Sequence, residues 1–197
     1  MLYNWPFDIK FSGSTWLIWF FYKKKCFIAN VGDSRAILVK HDGEKIITEP
    51  LSIDHKPTLK EEHERITKCN GRVEPFKDAL GRSKGPPRVW LKNDNIPGLA
   101  MSRSLGDSWG AMAGVSPIPD IKEIDIDGST DWLIALGSDG VWEFVSNEYA
   151  GEVLMPYYTK KNAEGAGETL VKEAFLRWRS KTESMIDDIT AVITFLK

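Results

Sequence analysis

Cysteine, histidine and unbalanced charge are all scarce in this sequence, and each scarcity removes a class of function. There are two cysteines, Cys26 and Cys69, and three histidines in 197 residues. The cysteines form no C-x-x-C pair and the histidines are scattered, so no zinc-site spacing exists. Both thiols are expected to be reduced packing residues of an intracellular protein. The formal net charge is -2, with acids and bases mixed along the chain. Without a basic field, nucleic acid is not an expected partner. A membrane span needs roughly 20 apolar residues, and the run Trp16–Tyr22 (WLIWFFY) falls far short. Its lysines, Lys23 to Lys25, follow it, whereas a secretory signal carries positive charge in front. The run is therefore expected to be a strand buried on both faces. Internal repeats, low-complexity segments and targeting signals are also missing. The expectation is a soluble cytoplasmic or nuclear protein without a membrane partner.

What is present suits one globular domain with a sizeable core, because 42% of residues are hydrophobic and 27% charged. Ser14 to Tyr22, Cys26 to Val31 and Ala36 to Lys40 read as a β-meander, with Lys45 to Thr48 after the turn at His41-Asp42-Gly43-Glu44. Thr58 to Cys69 is helix-compatible and ends at Asn70-Gly71. Glu74 to Gly98 is the least regular stretch, rich in Gly, Pro, Lys and Asp, and a loop of that length is usually functional. Ile121 to Ile126 and Trp132 to Leu136 read as strands around Asp127-Gly128-Ser129. Asn147 to Tyr157 and Ala163 to Arg179 read as helices, and Ile189 to Leu196 as a buried closing strand. The order predicts an α+β domain with a mostly antiparallel sheet.

Acidic residues beside buried strands are the candidates for chemistry. Leu133-Ile134-Ala135-Leu136 leads into Gly137-Ser138-Asp139-Gly140, which sets a carboxylate at a strand end. Hard divalent cations take oxygen ligands from such positions, although on spacing alone an Asx-type turn ahead of a helix is the better reading of Asp139. Asp187-Asp188 precedes the closing strand, where adjacent carboxylates repel unless a cation or donors compensate. Asp54, in Ile53-Asp54-His55-Lys56-Pro57, reads by itself as a cap or turn acid. His55 reads as a polar turn residue. Gly32-Asp33-Ser34-Arg35 reads as a hairpin turn, and no histidine is placed to activate Ser34 as a nucleophile.

Six stretches in order carry a family resemblance. Ala29-Asn30-Val31-Gly32-Asp33-Ser34-Arg35-Ala36 resembles the "A-N-x-G-D-S-R-A" motif of the protein phosphatase 2C family. Ser52-Ile53-Asp54-His55-Lys56-Pro57 resembles its "x-x-D-H-K-P". Glu64-Arg65-Ile66 and Gly71-Arg72-Val73 are similar to its "E-x-x-R-I-x-x-x-G-G-x-V". Leu99 to Asp107 (LAMSRSLGD) matches "L-A-[VM]-S-R-[AS]-[LF]-G-D". Ser138-Asp139-Gly140-Val141-Trp142-Glu143 resembles "[SC]-D-G-[VLI]-W-[DE]", and Asp187-Asp188-Ile189-Thr190 resembles "D-N-[MI]-[TS]". Arg88-Val89-Trp90-Leu91 ahead of Pro97-Gly98 is similar to a subgroup common in plants and protists.

The resemblance implies an antiparallel β-sandwich flanked by helices, of which residues 1–197 form a partial domain. An irregular flap of about 74–120 is expected within it. It further implies a serine/threonine phosphatase of signalling phosphoproteins, using two or three Mg²⁺ or Mn²⁺ ions. Asp139 and Asp187 match metal ligands, and Asp54 matches a ligand, shared with Asp139, of a more weakly held third ion. Gly140, Asp33, Ser34, Arg35, Ser102, Arg103, Gly106 and Asp107 match residues that shape the site. The family's phosphate-holding arginine, its Glu-Asp pair and its Asp-Gly-His-Gly segment do not occur here. The expectation is therefore a chain lacking the family's N-terminal strands and helices, with an apolar sheet face open to self-association. A binding module without catalysis, a pseudophosphatase, is the competing expectation.

Overall fold

The computed structural model describes residues 8–127, 129–182 and 185–196. Gly128, in the turn expected at 127–129, lies outside them. In chain order the elements are β1 (Gly13–Ser14), β2 (Trp16–Tyr22), β3 (Lys25–Val31), β4 (Arg35–His41), β5 (Ile46–Pro50), α1 (Lys60–Lys68) and β6 (Gly71–Lys77). Then follow β7 (Ser83–Leu91), β8 (Pro97–Leu99), β9 (Leu105–Gly106), α2 (Ser108–Met112), β10 (Asp120–Asp125) and β11 (Asp131–Gly137). The chain closes with α3 (Asp139–Trp142), α4 (Asn147–Thr159), α5 (Ala163–Lys181) and β12 (Ala191–Phe195). It is an α+β fold with antiparallel sheets, divided into two compact units woven from alternating stretches of sequence.

One unit comprises Leu17–Asn30, Ser34–Ile53 and Asp120–Lys197. It holds two sheets, ordered β10-β3-β2 and β12-β11-β4-β5. Side chains alternate across a strand, so Ala36, Leu38, Ile134 and Leu136 meet Cys26 and Ile28 of the other sheet in one core. Their neighbours Ile37, Val39, Leu133 and Ala135 face a second core with Ala150 and Leu154 of α4 and Ala166 and Leu170 of α5. Being buried on both sides, β4 and β11 carry continuous apolar runs.

Two expectations fail here. β2 is not buried on both faces: Leu17 and Trp19 pack on the core, while Ile18, Phe20 and Tyr22 are 38%, 59% and 57% exposed. An unbroken apolar run shows no alternation, so sequence could not reveal which face lay open. The expected meander also breaks after β3. β4 joins the other sheet, beside β11 and β5, so Gly32-Asp33-Ser34 is a crossing between sheets and not a hairpin turn.

The other unit comprises the described residues of Met1–Trp16, with Val31–Asp33 and Asp54–Pro119. Its core gathers Ile66 of α1, Val89 and Leu91 of β7, and Ala113 and Val115 beyond α2. The stretch expected to be irregular, 74–98, is instead largely a three-stranded sheet ordered β6-β7-β8. Pro86 and Pro87 misled the reading because a proline cannot donate to a ladder. β8 pairs only with Val89 and Trp90, so those prolines lie where β7 has no second neighbour to lose. Both cysteines are free, but only Cys26 is a packing residue; Cys69 is exposed. Burial pushes the Cys26 thiol up to about 11.

Candidate active site

β11 and β12 are adjacent antiparallel strands, so the end of one lies beside the start of the other, with Gly137 opposite Ala191. Past that end the chain turns into α3, whose first residue is Asp139. On the neighbouring strand, Asp187 and Asp188 lie just ahead of β12. Ser138 joins the two segments. Its amide donates to the Thr190 carbonyl at 3.0 Å, and its hydroxyl donates to the Asp188 carbonyl and accepts from the Thr190 amide, both at 3.1 Å. A Cβ on Gly140 would sit 2.3 Å from the Asp188 carbonyl oxygen, so only glycine permits this approach.

Tryptophans hold the turn from beneath. Trp142 Nε1 reaches the carbonyls of Gly137 at 2.9 Å and Arg35 at 3.1 Å. Trp178 Nε1 of α5 donates to the Gly140 carbonyl at 2.7 Å. Arg35 lies 5.4 Å from the Trp142 ring and donates to Asn147 Oδ1 at the start of α4. Asp139 is thus half-buried on a turn fixed by backbone contacts. Asp187 is exposed, with its Oδ1 accepting from the Asp188 amide at 2.8 Å.

Asp139, Gly140, Asp187, Ser34 and Arg35 belong to this unit, and Asp54, Asp33, Ser102, Arg103, Gly106 and Asp107 to the other. In that second unit Asp54 is half-buried in the loop leading to α1. His55 beside it is fully buried, and its Nδ1 accepts from the Gly32 amide at 3.0 Å. The His55 amide returns a bond to the Gly32 carbonyl, and the His55 carbonyl accepts from Ser102. His55 therefore ties the Gly32 turn to the Ser102 segment. Asp33 accepts from Lys56 Nζ at 2.5 Å, and Asp107 accepts from the Ser104 hydroxyl. Gly106 pairs with Gly13 in the short β1–β9 ribbon.

One residue of consequence was assigned wrongly from sequence. Counting back from Arg65 in E-x-x-R-I lands on Glu62, not Glu64. Glu62 is 3% exposed and accepts from Arg65 through both oxygens at 2.8 Å, from Arg103 and from the Ser102 hydroxyl. Burial alone would raise its carboxyl; the bonds from Arg65, Arg103 and Ser102 outweigh that and hold it at about 2. Glu64 is exposed on the opposite side of the turn, 3.8 Å from Lys68. Ser102 and Arg103, expected to shape the site, are members of this buried cluster. The spacing of the motif was the signal that would have found Glu62.

Among the described residues, no three His, Cys, Asp or Glu side chains gather into a set able to hold a metal ion. Asp139 and Asp187 supply carboxylate oxygens only, which is the donor chemistry of Mg²⁺ and Mn²⁺. They fit a partial ligand set.

Similarities to known proteins span most of the chain. The family model described as "Protein phosphatase 2C" matches residues 8–181. "Probable protein phosphatase 2C 12" of Oryza sativa subsp. japonica is 39% identical over 191 residues, covering 96% of this chain and 47% of that protein. "Probable protein phosphatase 2C 72" of Arabidopsis thaliana is 37% identical, covering 97% and 56%. The chain thus spans about half the length of these curated relatives. The crystal structure of a serine-threonine phosphatase 2C from Toxoplasma gondii superposes with a TM-score of 0.82 at 23% identity, covering 95% of this chain and 60% of that one.

Proposed function

Since the chain belongs to the protein phosphatase 2C family, we propose that it carries the Asp139–Asp187 portion of a metal-dependent phosphoserine and phosphothreonine phosphatase site. The observation that supports this is the Ser138 clamp, which sets two acidic segments side by side at one sheet end. Asp139 and Asp187 would hold Mg²⁺ or Mn²⁺, and Asp54 a further, weaker ion. When bound there, such an ion would supply an activated water for attack on phosphorus and would offset charge on the phosphoryl oxygens.

The protein's own part is positional. Ser138 and Gly140 fix the spacing of the two acidic segments. Trp142 and Trp178 hold the α3 turn, and Arg35 braces it against α4. Phosphoproteins are the proposed substrates, in the cytoplasm or nucleus. No helix among the described residues is long and apolar enough to cross a membrane. The open face of β2 is the proposed surface for self-association, because contiguous exposed apolar area marks interfaces.

The test is a titration with Mn²⁺ read by electron paramagnetic resonance, alongside phosphate release from a phosphothreonine peptide. Asp139→Asn and Asp187→Asn are each expected to abolish ion uptake, and to lower metal-dependent release by about 100-fold or more. Uptake and hydrolysis that survive both substitutions would overturn the reading.

A further inference from the structure

We propose that the open face of the β6–β7–β8 sheet is a docking surface for an acidic, extended peptide segment; that the segment belongs to the phosphoprotein substrate rests on the phosphatase reading. The face follows from register. Arg72 lies opposite Trp90, Glu74 opposite Arg88 and Phe76 opposite Lys84. Val73, Val89, Leu91 and Leu99 alternate with them and pack on the core of this unit. One side of the sheet is thus committed to the core, and the other carries the exposed Phe76 beside the nearly covered Trp90 ring, with cations around them.

Two hollows adjoin on that side, of about 450 Å³ and about 430 Å³, and Phe76 and Trp90 line both. Lys84 and Arg88 border the first; Arg72, Lys77 and Lys92 border the second. The floor is rigid. Trp90 Nε1 donates to the Glu74 carbonyl at 2.9 Å, the Arg72 guanidinium lies 5.6 Å from its ring centroid, and Arg88 donates to the Gly98 carbonyl at 2.8 Å. A Cβ on Gly98 would come within 2.7 Å of the Trp90 ring, so the glycine keeps the ring flat against the strand.

Charge decides the occupant. Residues 71–99 carry six bases and three acids, while the whole chain has a net charge of -2. Two of the three acids, Glu74 on β6 and Asp78 in the turn after it, are each shared between two bases. Glu74 lies 3.3 Å from Arg72 and 3.2 Å from Lys77, and Asp78 lies 2.8 Å from Arg82 and 3.8 Å from Lys84. The surplus is positive and concentrated beside an apolar floor. An extended segment with carboxylates flanking one apolar side chain complements both features.

The experiment uses a fluorescent, unphosphorylated peptide of Glu and Asp flanking a single Phe, titrated with the full chain and read by anisotropy. A Lys84→Glu, Lys92→Glu double variant changes one exposed side chain beside each hollow, and circular dichroism checks that its fold is kept. The variant is expected to bind about tenfold more weakly or worse, with a smaller loss of affinity on raising salt. The Gln isostere of the peptide should bind weakly to both proteins. Equal binding of the acidic peptide by both proteins, or no preference over its isostere, would overturn the proposal and leave the phosphatase reading standing. Charge-dependent binding without metal-dependent phosphate release would keep the surface and sink the activity.

Discussion

Two acidic groupings in this protein sit at opposite ends of the range of solvation. Glu62 is withdrawn from water and met on every side by Arg65, Arg103 and Ser102. Asp187 is exposed and Asp139 half-buried, and what is fixed there is the backbone beneath them, through Ser138 and Gly140. A buried carboxylate compensated by fixed donors is a structural element, since removing it leaves charges stranded. In the other grouping the backbone is what is pinned, by Ser138 and Gly140, and under the proposed function its carboxylates would receive a cation. Their surroundings separate the two kinds of acid.

The sharpest way to break that comparison is to neutralise one acid of each kind. Glu62→Gln removes the anion between Arg65 and Arg103 and is expected to destabilise by about 3–5 kcal/mol. Asp187→Asn keeps the Oδ1 acceptor and should stay within about 0.5 kcal/mol. Urea midpoints at an unchanged slope measure both. If the two variants melt alike, the division fails. A pH series adds the sign. The Glu62 carboxyl is depressed from 4.5 to about 2 in the fold, so its contribution is complete above about 4.5 and fades as pH falls toward 2. The wild type should lose more stability than Glu62→Gln across that window.

A smaller effect separates placement from stability within the exposed grouping. Ser138→Ala deletes the donor to Asp188 and the acceptor for the Thr190 amide, with an expected cost of about 1–2 kcal/mol. If Ser138 positions the acidic segments, Mn²⁺ uptake should weaken in the folded variant as well. Lost stability with unchanged uptake would make Ser138 a seam between strands and nothing more.

Much of this was legible in sequence, for identifiable reasons. The apolar runs of β4 and β11 announced strands covered by other elements, whereas β12, expected to be buried, is an edge strand with Val192 exposed; the positions of Asp139 and Asp187 beside strand ends were visible from spacing. What sequence could not show was long-range. Nothing local says that β4 leaves β3 for the other sheet, or that Ser138 reaches Thr190. Pro86 and Pro87 hid β7, because proline argues against a strand unless one knows which side is unpaired. Glu62 was hidden differently. The E-x-x-R-I spacing points to it, but the partners that surround it, Ser102 and Arg103, lie some forty positions on, and nothing local shows that they meet it.

The same contrast between committed and open side chains recurs in apolar form on β2, and there the expected effect on stability is smallest. Leu17 and Trp19 pack on the core, while Ile18 and Phe20 point away from it. Phe20, at 59% exposure, should tolerate Phe20→Lys within about 0.5 kcal/mol, since little of its burial depends on the fold. The same change should dissolve any self-association seen by sedimentation of the wild type, because a lysine ammonium is costly to bury in an apolar contact. Leu17→Lys on the alternate face should instead unfold the chain. An associated Phe20→Lys protein would show that the open face of β2 is not where copies meet, even if Leu17→Lys behaves as expected.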